Sequence, residues 1–283
     1  MLVANDRSPV TVDGEVEETK TFCIAATPHA YQMLSSGLYS NKIKAVIREL
    51  STNAYDAHVF SGKPNTPFDV VLPNSFNPTF SIRDYGPGMS SNDIMNLYTT
   101  YFKSGNYKIK SNDYVGCLGL GSKSPFAYTR SFSVTSFYEG KKTDYALYIG
   151  GDGIPTITNM GETDCEENET GLQIIIPVNS ADHYKFVNEA QNVYSYFKVK
   201  PNISGSTSYA TQKIDYVHEG EAWKIRKHDG NGIHAVMGNI CYPIEIENIT
   251  GLSSEQREVF ENNDIDIFVN IGNVSITPSR EHL

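Results

Sequence analysis

The sequence predicts an α+β protein. The expected core is a two-layer α/β sandwich, one helix layer on a mixed, mostly antiparallel sheet, with a smaller α/β unit after it. Three observations predict this. Residues 41–60 carry Ile43, Val46, Ile47, Leu50, Ala54 and Ala57 at helical spacing, a stripe that needs a partner surface. Six short segments, 67–72, 79–84, 131–139, 143–149, 154–159 and 172–177, have the composition of strands. Glu139-Gly140-Lys141-Lys142 sits between two of them as a hairpin turn, so those strands are antiparallel neighbours.

Taken in order, residues 1–19 are polar and acidic and read as a loose arm or one edge strand. Helices are expected at 28–38, 41–60, 90–102, 122–128 and 181–197. The stretch 103–121 is rich in Gly, Ser, Asn and Lys and has little periodicity. A loop of that length is a functional lid or a disordered segment. Residues 199–213, with Pro201, Gly205 and several Ser and Thr, read as a boundary. Beyond it come strands at 214–218, 233–237 and 265–271 and a helix at 252–262. The expected division is an arm at 1–19, a first domain at 20–198 and a second at 199–283. The chain stops soon after an apolar strand, so truncation of a longer chain is expected.

Composition excludes several classes. A net charge of −10 argues against a nucleic-acid-binding face across the chain. It also means that any phosphate must be held by directed backbone N–H groups and a metal. Cys23, Cys117, Cys165 and Cys241 lie far apart, which fits reduced thiols in a cytoplasmic compartment and no zinc site. No apolar run approaches the roughly 20 residues of a membrane span.

Three boxes carry chemistry. The first is Arg48-Glu49-Leu50-Ser51-Thr52-Asn53-Ala54-Tyr55-Asp56-Ala57. At about 100° per residue, Glu49, Asn53 and Asp56 fall within about 60° of each other, at the edge of the apolar stripe. A carboxylate there can polarise a water, and an amide oxygen can ligate a hard cation. The bland alternative is a charged helix rim. The second box, Ser81-Ile82-Arg83-Asp84-Tyr85-Gly86-Pro87-Gly88-Met89, ends a strand with an acid and a turn. Its glycines let backbone approach a flat ring, and Met89 offers a soft apolar contact. The third is Gly116-Cys117-Leu118-Gly119-Leu120-Gly121-Ser122-Lys123-Ser124, glycines running into a helix. Such a turn aims N–H groups at an anion. It misses the P-loop pattern because Ser122 stands where the lysine should follow the last glycine.

In this order the boxes resemble the GHKL ATPases: gyrase B subunits, the ninety-kilodalton heat-shock chaperones, histidine kinases and MutL. Glu49, Asn53 and Asp56 match the helix box of that family. Asp84, Gly86, Gly88 and Met89 match its second box, and Gly116, Gly119 and Gly121 its third. Within the family, Tyr-Phe-Lys-Ser-Gly and Gly-Leu-Gly-Ser-Lys-Ser-Pro-Phe-Ala-Tyr are similar to the rIIA-like proteins of T-even-like bacteriophages. Ser279-Arg280-Glu281-His282-Leu283 resembles a loop of the heat-shock chaperone branch, in the domain after the nucleotide domain.

The resemblance implies a Bergerat fold, a lid over bound nucleotide, and a second domain of transducer or middle type. It implies ATP and magnesium as ligands, slow ATP hydrolysis and an ATP-bound homodimer. Asp84 would accept from the adenine amino group. Asn53 would ligate magnesium, and Asp56 belongs to the same nucleotide-binding set. Gly119, Leu120 and Gly121 would hold phosphates through backbone N–H groups, and Glu49 would act as general base. Lys123 would neutralise phosphate charge or be a solvated helix lysine, and Lys103 is a lid candidate. Arg280 would reach the terminal phosphate once the second domain folds back. The family also has a Gly-Thr step on a late strand. Here Gly171 is followed by Leu172, and Thr170 stands in as the substitute.

The phage resemblance implies a role in lysis behaviour or in overcoming host exclusion, with an unknown protein partner. The expected place is the host cytoplasm, with peripheral membrane association left open. A histidine kinase would need a phospho-accepting histidine on a helical hairpin, and His29 lacks one. Two other readings stay open. One is an ATP-operated binding module with negligible turnover. The other is a DNA-topology or repair ATPase, although nucleic acid is not expected as a partner of this fragment.

Overall fold

In a computed structural model the described residues are 23–103, 119–227 and 232–281. The expected arm at 1–19 and most of the loop at 103–121 lie outside them.

Helix α1 (Pro28–Leu34) begins behind Thr27, whose hydroxyl accepts the Ala30 N–H at 3.2 Å. It ends earlier than expected. The Ser35 hydroxyl donates to Tyr31 O at 2.8 Å, a local bond that competes with the helix ladder. Helix α2 (Lys42–Phe60) begins behind Asn41, whose Oδ1 accepts the Lys44 N–H at 3.0 Å. Helix α3 (Ser91–Thr99) is capped by Ser90 and stops before Phe102, which takes a left-handed φ of 62°. The helix expected at 122–128 is broken. A 3-10 turn, Gly121–Lys123, is followed by α4 (Pro125–Tyr128), because Pro125 has no N–H to continue the turn before it but suits a helix start. Helix α5 (His183–Tyr194) ends where the Lys200 ammonium donates to Tyr194 O at 2.6 Å and Ser195 O at 2.8 Å.

The first sheet holds seven strands: β1 (Asp69–Val71), β2 (Thr79–Arg83), β3 (Ser131–Tyr138), β4 (Lys141–Ile149), β5 (Pro155–Asp164), β6 (Gly171–Pro177) and β7 (Asn202–Ser204). Their order is β5-β4-β3-β6-β2-β1-β7, antiparallel except where β7 runs parallel to β1. The β3–β4 hairpin turns at Glu139 and Gly140, with φ of 50° and 72°, as a two-residue hairpin with right-handed strand twist requires. β7 falls inside the expected boundary stretch, so the first sheet runs to Ser204.

The register fixes the buried face. Phe80 lies opposite Ile176, Ile82 opposite Ile174, Val134 opposite Ile174 and Tyr145, and Phe132 opposite Leu147. These side chains share one core with Val46, Ile47, Leu50 and Ala54 of α2 and Phe186, Val187 and Ala190 of α5. The helix layer therefore sits on this face, and the fold is the Bergerat sandwich.

The second sheet has the order β11-β10-β12-β9-β8. It is built from β8 (Tyr216–Glu219), β9 (Trp223–Arg226), β10 (Gly232–Met237), β11 (Ile240–Ile244) and β12 (Asp264–Val269). Helix α6 (Ser254–Glu261) begins with a capping box of Ser253 and Gln256 and leads back to β12, parallel to β10. Strands β7, β9 and β11 were not anticipated. They are three to five residues long, too short to show a period.

The two sheets meet at α2. Tyr55 packs on the first core and also on a second one of Ala235, Met237, Ile240 and Tyr242, joined by Ile271, Val274 and Ile276. After β12 the chain reaches the head of α2, where Glu281 accepts the Ser40 and Asn41 N–H groups. Within the second sheet, ligand atoms of His234, Cys241 and Asp266 cluster within 4.8 Å. The guanidinium of Arg226 already occupies that cluster, bonded to Asp266 and, at 3.1 Å, to His234 Nδ1.

Candidate functional site

A cavity of about 530 Å³ opens between α2, α3 and the start of β6. Glu49 and Asn53 of α2 form one wall, Asp84 and Met89 another, and Gly121 and Arg280 close one end.

Asp84 is 4% exposed and held from several sides. Its N–H donates to Leu172 O at 2.9 Å, and its Oδ1 accepts the Gly86 N–H at 2.9 Å. Gly86 must be glycine because a Cβ there would stand 2.7 Å from Ala57 Cβ. Beneath the turn, His58 is fully buried and its tautomer is fixed by geometry. Nδ1 meets the Thr66 carbonyl at 2.8 Å and must donate. Nε2 meets the Tyr85 N–H at 2.7 Å and must accept. The imidazole is thus neutral and pins the Asp84–Tyr85 turn to α2. Burial pushes the Asp84 carboxyl above its ordinary range, against the Gly86 N–H and the charge of Arg83.

Gly171, beside this wall, must also be glycine. Its φ is +108°, and a Cβ would lie 2.1 Å from Asp84 O. Gly171→Ala is therefore expected to displace Asp84 and to cost about 1–3 kcal/mol of stability from backbone strain alone. Thermal unfolding checks this, and an unchanged midpoint would show that the turn is looser than drawn.

The third box supplies the opposite end. Gly119 has φ +65° and lies against the backbone of Phe102 and Lys103. A Cβ on Gly121 would lie 2.8 Å from Glu49 Oε2 and 3.3 Å from Asn53 Nδ2. The turn and α2 thus approach too closely to admit a side chain between them. Leu120, Gly121 and Ser122 face the cavity, as does Lys103. Lys123 does not. Its ammonium donates to Leu97 O at 2.6 Å and Gly119 O at 3.1 Å, and burial lowers it to about 8. It is neither a solvated lysine nor a group pointing into the cavity; it ties the glycine turn to α3.

Arg280 comes from 231 residues away and donates to Glu49 Oε2 at 3.0 Å. Arg48 donates from Nε to Glu49 Oε1 at 3.1 Å, from Nη1 to Arg280 O at 2.8 Å and from Nη2 to Ser279 O at 2.6 Å. All three side chains are 5% exposed or less. Burial alone would raise the Glu49 carboxyl. Arg280 and Arg48 outweigh it and hold the carboxyl below its ordinary range. Glu49 is thus an ionised carboxylate shared between two guanidinium groups.

The expected residues divide accordingly. The structure brings together Glu49, Asn53, Asp84, Gly88, Met89, Lys103, Gly119, Leu120, Gly121 and Arg280 around one cavity. Asp56 is fully buried and Gly86 shapes the Asp84 turn, and neither lines the cavity. Thr170 is not in the wall either. It offers its carbonyl to Arg83 Nη2 at 2.9 Å, and Leu172 occupies the wall instead. Gly116 lies outside the described residues. Sequence reasoning missed His58, Arg48 and Glu281. Arg48 and His58 sit in or beside the first box, but only their buried partners give them roles.

Residues 39–151 match the family model described as histidine kinase-, DNA gyrase B- and HSP90-like ATPase. The chain is 28% identical over 183 residues to the chaperone protein HtpG of Buchnera aphidicola subsp. Baizongia pistaciae, covering 57% of this chain and 28% of that protein. It is 28% identical over 196 residues to HtpG of Vibrio parahaemolyticus, covering 61% and 30%. The chain thus spans under a third of the length of these curated relatives. Among solved structures, the ATPase region of Saccharomyces cerevisiae topoisomerase II superposes with a TM-score of 0.54 at 13% identity, over 83% of this chain and 75% of that one. That likeness speaks to the fold. Residues 39–151 thus resemble the GHKL ATPases, and the superposition shows a shared fold.

Proposed function

We propose that the chain binds ATP with magnesium and hydrolyses it. The observation that carries this is the joining of Asp84, Glu49, Asn53 and the Gly119–Gly121 turn around one cavity. A carboxylate on the floor of an apolar pocket suits an adenine amino group. Backbone N–H groups of the glycine turn suit phosphate oxygens. Asn53 would hold magnesium: its uncharged oxygen is a hard donor, it lines the cavity beside the glycine turn, and a single protein ligand suits an ion that keeps waters and phosphate oxygens. When bound, the ion would neutralise charge on the phosphates.

Glu49 would take a proton from a water as that water's oxygen bonds to the terminal phosphorus. The bond from that phosphorus to the bridging oxygen breaks, and ADP leaves. In the arrangement described, both Glu49 oxygens are bonded to guanidinium groups, which weakens it as a base. A terminal phosphate would compete for Arg280. Moving Arg280 to that phosphate would free Oε2, so substrate arrival and base activation would be one event. ADP has no terminal phosphate to compete.

Arg280→Ala is therefore expected to leave ADP affinity unchanged and to lower ATP turnover about tenfold or more, the scale of one charge-assisted hydrogen bond. Nucleotide titrations and steady-state phosphate release check this, and normal turnover would remove Arg280 from the reaction. ATP binding without turnover in the parent chain would favour an ATP-operated binding module instead.

Self-association on ATP binding belongs to the same reading, while the expected lid at 103–121 lies mostly outside the described residues. A role in phage infection rests on the wording of Tyr101–Gly105 and Gly119–Tyr128 alone. A chaperone-like role rests on the HtpG relatives.

A further inference from the structure

We propose that Glu281 is a positioning residue that latches the arginine loop onto the head of α2, and so sets where Arg280 stands. This rests on the reading that Arg280 serves the terminal phosphate.

Both oxygens of the Glu281 carboxylate are used. Oε2 accepts the Ser40 N–H and Oε1 the Asn41 N–H, each at 3.0 Å, across about 240 residues of sequence. These two N–H groups lie just ahead of α2, whose capping residue is Asn41, so the helix ladder does not use them. A carboxylate there also meets the positive end of the helix dipole. Burial would raise the Glu281 carboxyl, but the Ser40 and Asn41 N–H groups reverse this and lower it, so the acceptor is an ionised carboxylate.

The chain between β12 and Glu281 has no helix or strand of its own. Arg280 takes a left-handed φ of 57°, which a non-glycine residue holds only when its surroundings impose it. Its N–H donates to Thr277 O at 2.9 Å, closing a turn. Glu281 on one side of that turn and Arg48 on the carbonyls of Ser279 and Arg280 grip the same loop from the same helix. A latch that fixes the backbone on both sides of Arg280 leaves only its side chain to move between Glu49 and a phosphate.

The test uses the full chain and five proteins: parent, Glu281→Ala, Arg280→Ala, the double variant and, as the conservative control, Glu281→Gln. Glu281→Ala should lower kcat for ATP about tenfold with ADP affinity unchanged, and Glu281→Gln, which keeps one acceptor oxygen, should recover part of the loss. The double variant should turn over like Arg280→Ala alone, since Glu281 acts only through Arg280. Without nucleotide, the Ser40 and Asn41 amides should exchange hydrogen faster in Glu281→Ala by about tenfold or more, the local opening of two bonds.

A double variant that loses the product of the two single losses would make Glu281 a general stabiliser and overturn the proposal. So would unchanged turnover and exchange in a folded Glu281→Ala or Glu281→Gln. Full turnover in Arg280→Ala would overturn both the phosphate role of Arg280 and the latch. Absent turnover in the parent would sink hydrolysis alone, and amide exchange at Ser40 and Asn41 would then judge the latch.

Discussion

Glu49→Gln is expected to keep ATP affinity and to lose turnover by about 10²–10⁴-fold, the usual worth of general-base assistance. Glutamine is the informative replacement. It retains an acceptor oxygen for the buried guanidinium groups of Arg48 and Arg280 but cannot take a proton from water. Glu49→Ala would leave two buried cations without their shared acceptor, a loss of roughly 3–5 kcal/mol that would confound the kinetics. Steady-state phosphate release and nucleotide titration on the glutamine variant separate the roles. Parent-like turnover would place water activation on another group.

Asp84→Asn is expected to weaken ATP binding by about 10²-fold or more, because a pocket built to accept from an amino group would then present N–H groups to it. The variant should still fold. The amide oxygen can keep the Gly86 N–H, and a neutral side chain at this buried position removes the cost of an ionised carboxylate.

Acidity gives the same site a second signature. The folded value of Asp84 is raised, so the stability it contributes is full below its unfolded value and is lost as pH rises through the folded one. The folded value of Glu49 is lowered, so its contribution is present above its unfolded value and lost only as pH falls through the folded one. On acidification, ATP affinity should therefore begin to fall above the ordinary carboxylate value of about 3.9, while Glu49 is still ionised. Titrating affinity between about pH 4 and 8, with Asp84→Asn as control, measures this. A parent affinity flat across that range would remove Asp84 from nucleotide recognition.

Much of the site was legible because its residues are local. Glu49 and Asn53 share a helix face by spacing alone, and Asp84 with Gly86, Gly88 and Met89 follows from a strand running into a turn. The strand pattern and the Glu139–Gly140 hairpin set the sandwich, since alternation decides which face is buried. Those inferences need only the periods of helix and strand.

What the sequence could not decide depends on partners far along the chain. Lys123 sits three residues after Leu120 and reads as a phosphate ligand, but burial against α3 turns its ammonium onto the carbonyls of Leu97 and Gly119. Thr170 precedes the expected glycine, yet the positive φ of Gly171 sends Leu172 into the wall and leaves Thr170 only its carbonyl for Arg83. His58 is one of seven histidines until Thr66 O and Tyr85 N are seen on its two nitrogens. By itself the sequence determined the α+β sandwich, the helix carrying Glu49 and Asn53, and the acid at Asp84, because these are set by periodicity and turn chemistry within a few residues. Only the tertiary structure decided that Arg280 reaches Glu49, that Arg48 and Glu281 hold its loop, and that Lys123 faces away, because each of these turns on which distant donors and acceptors burial brings into contact.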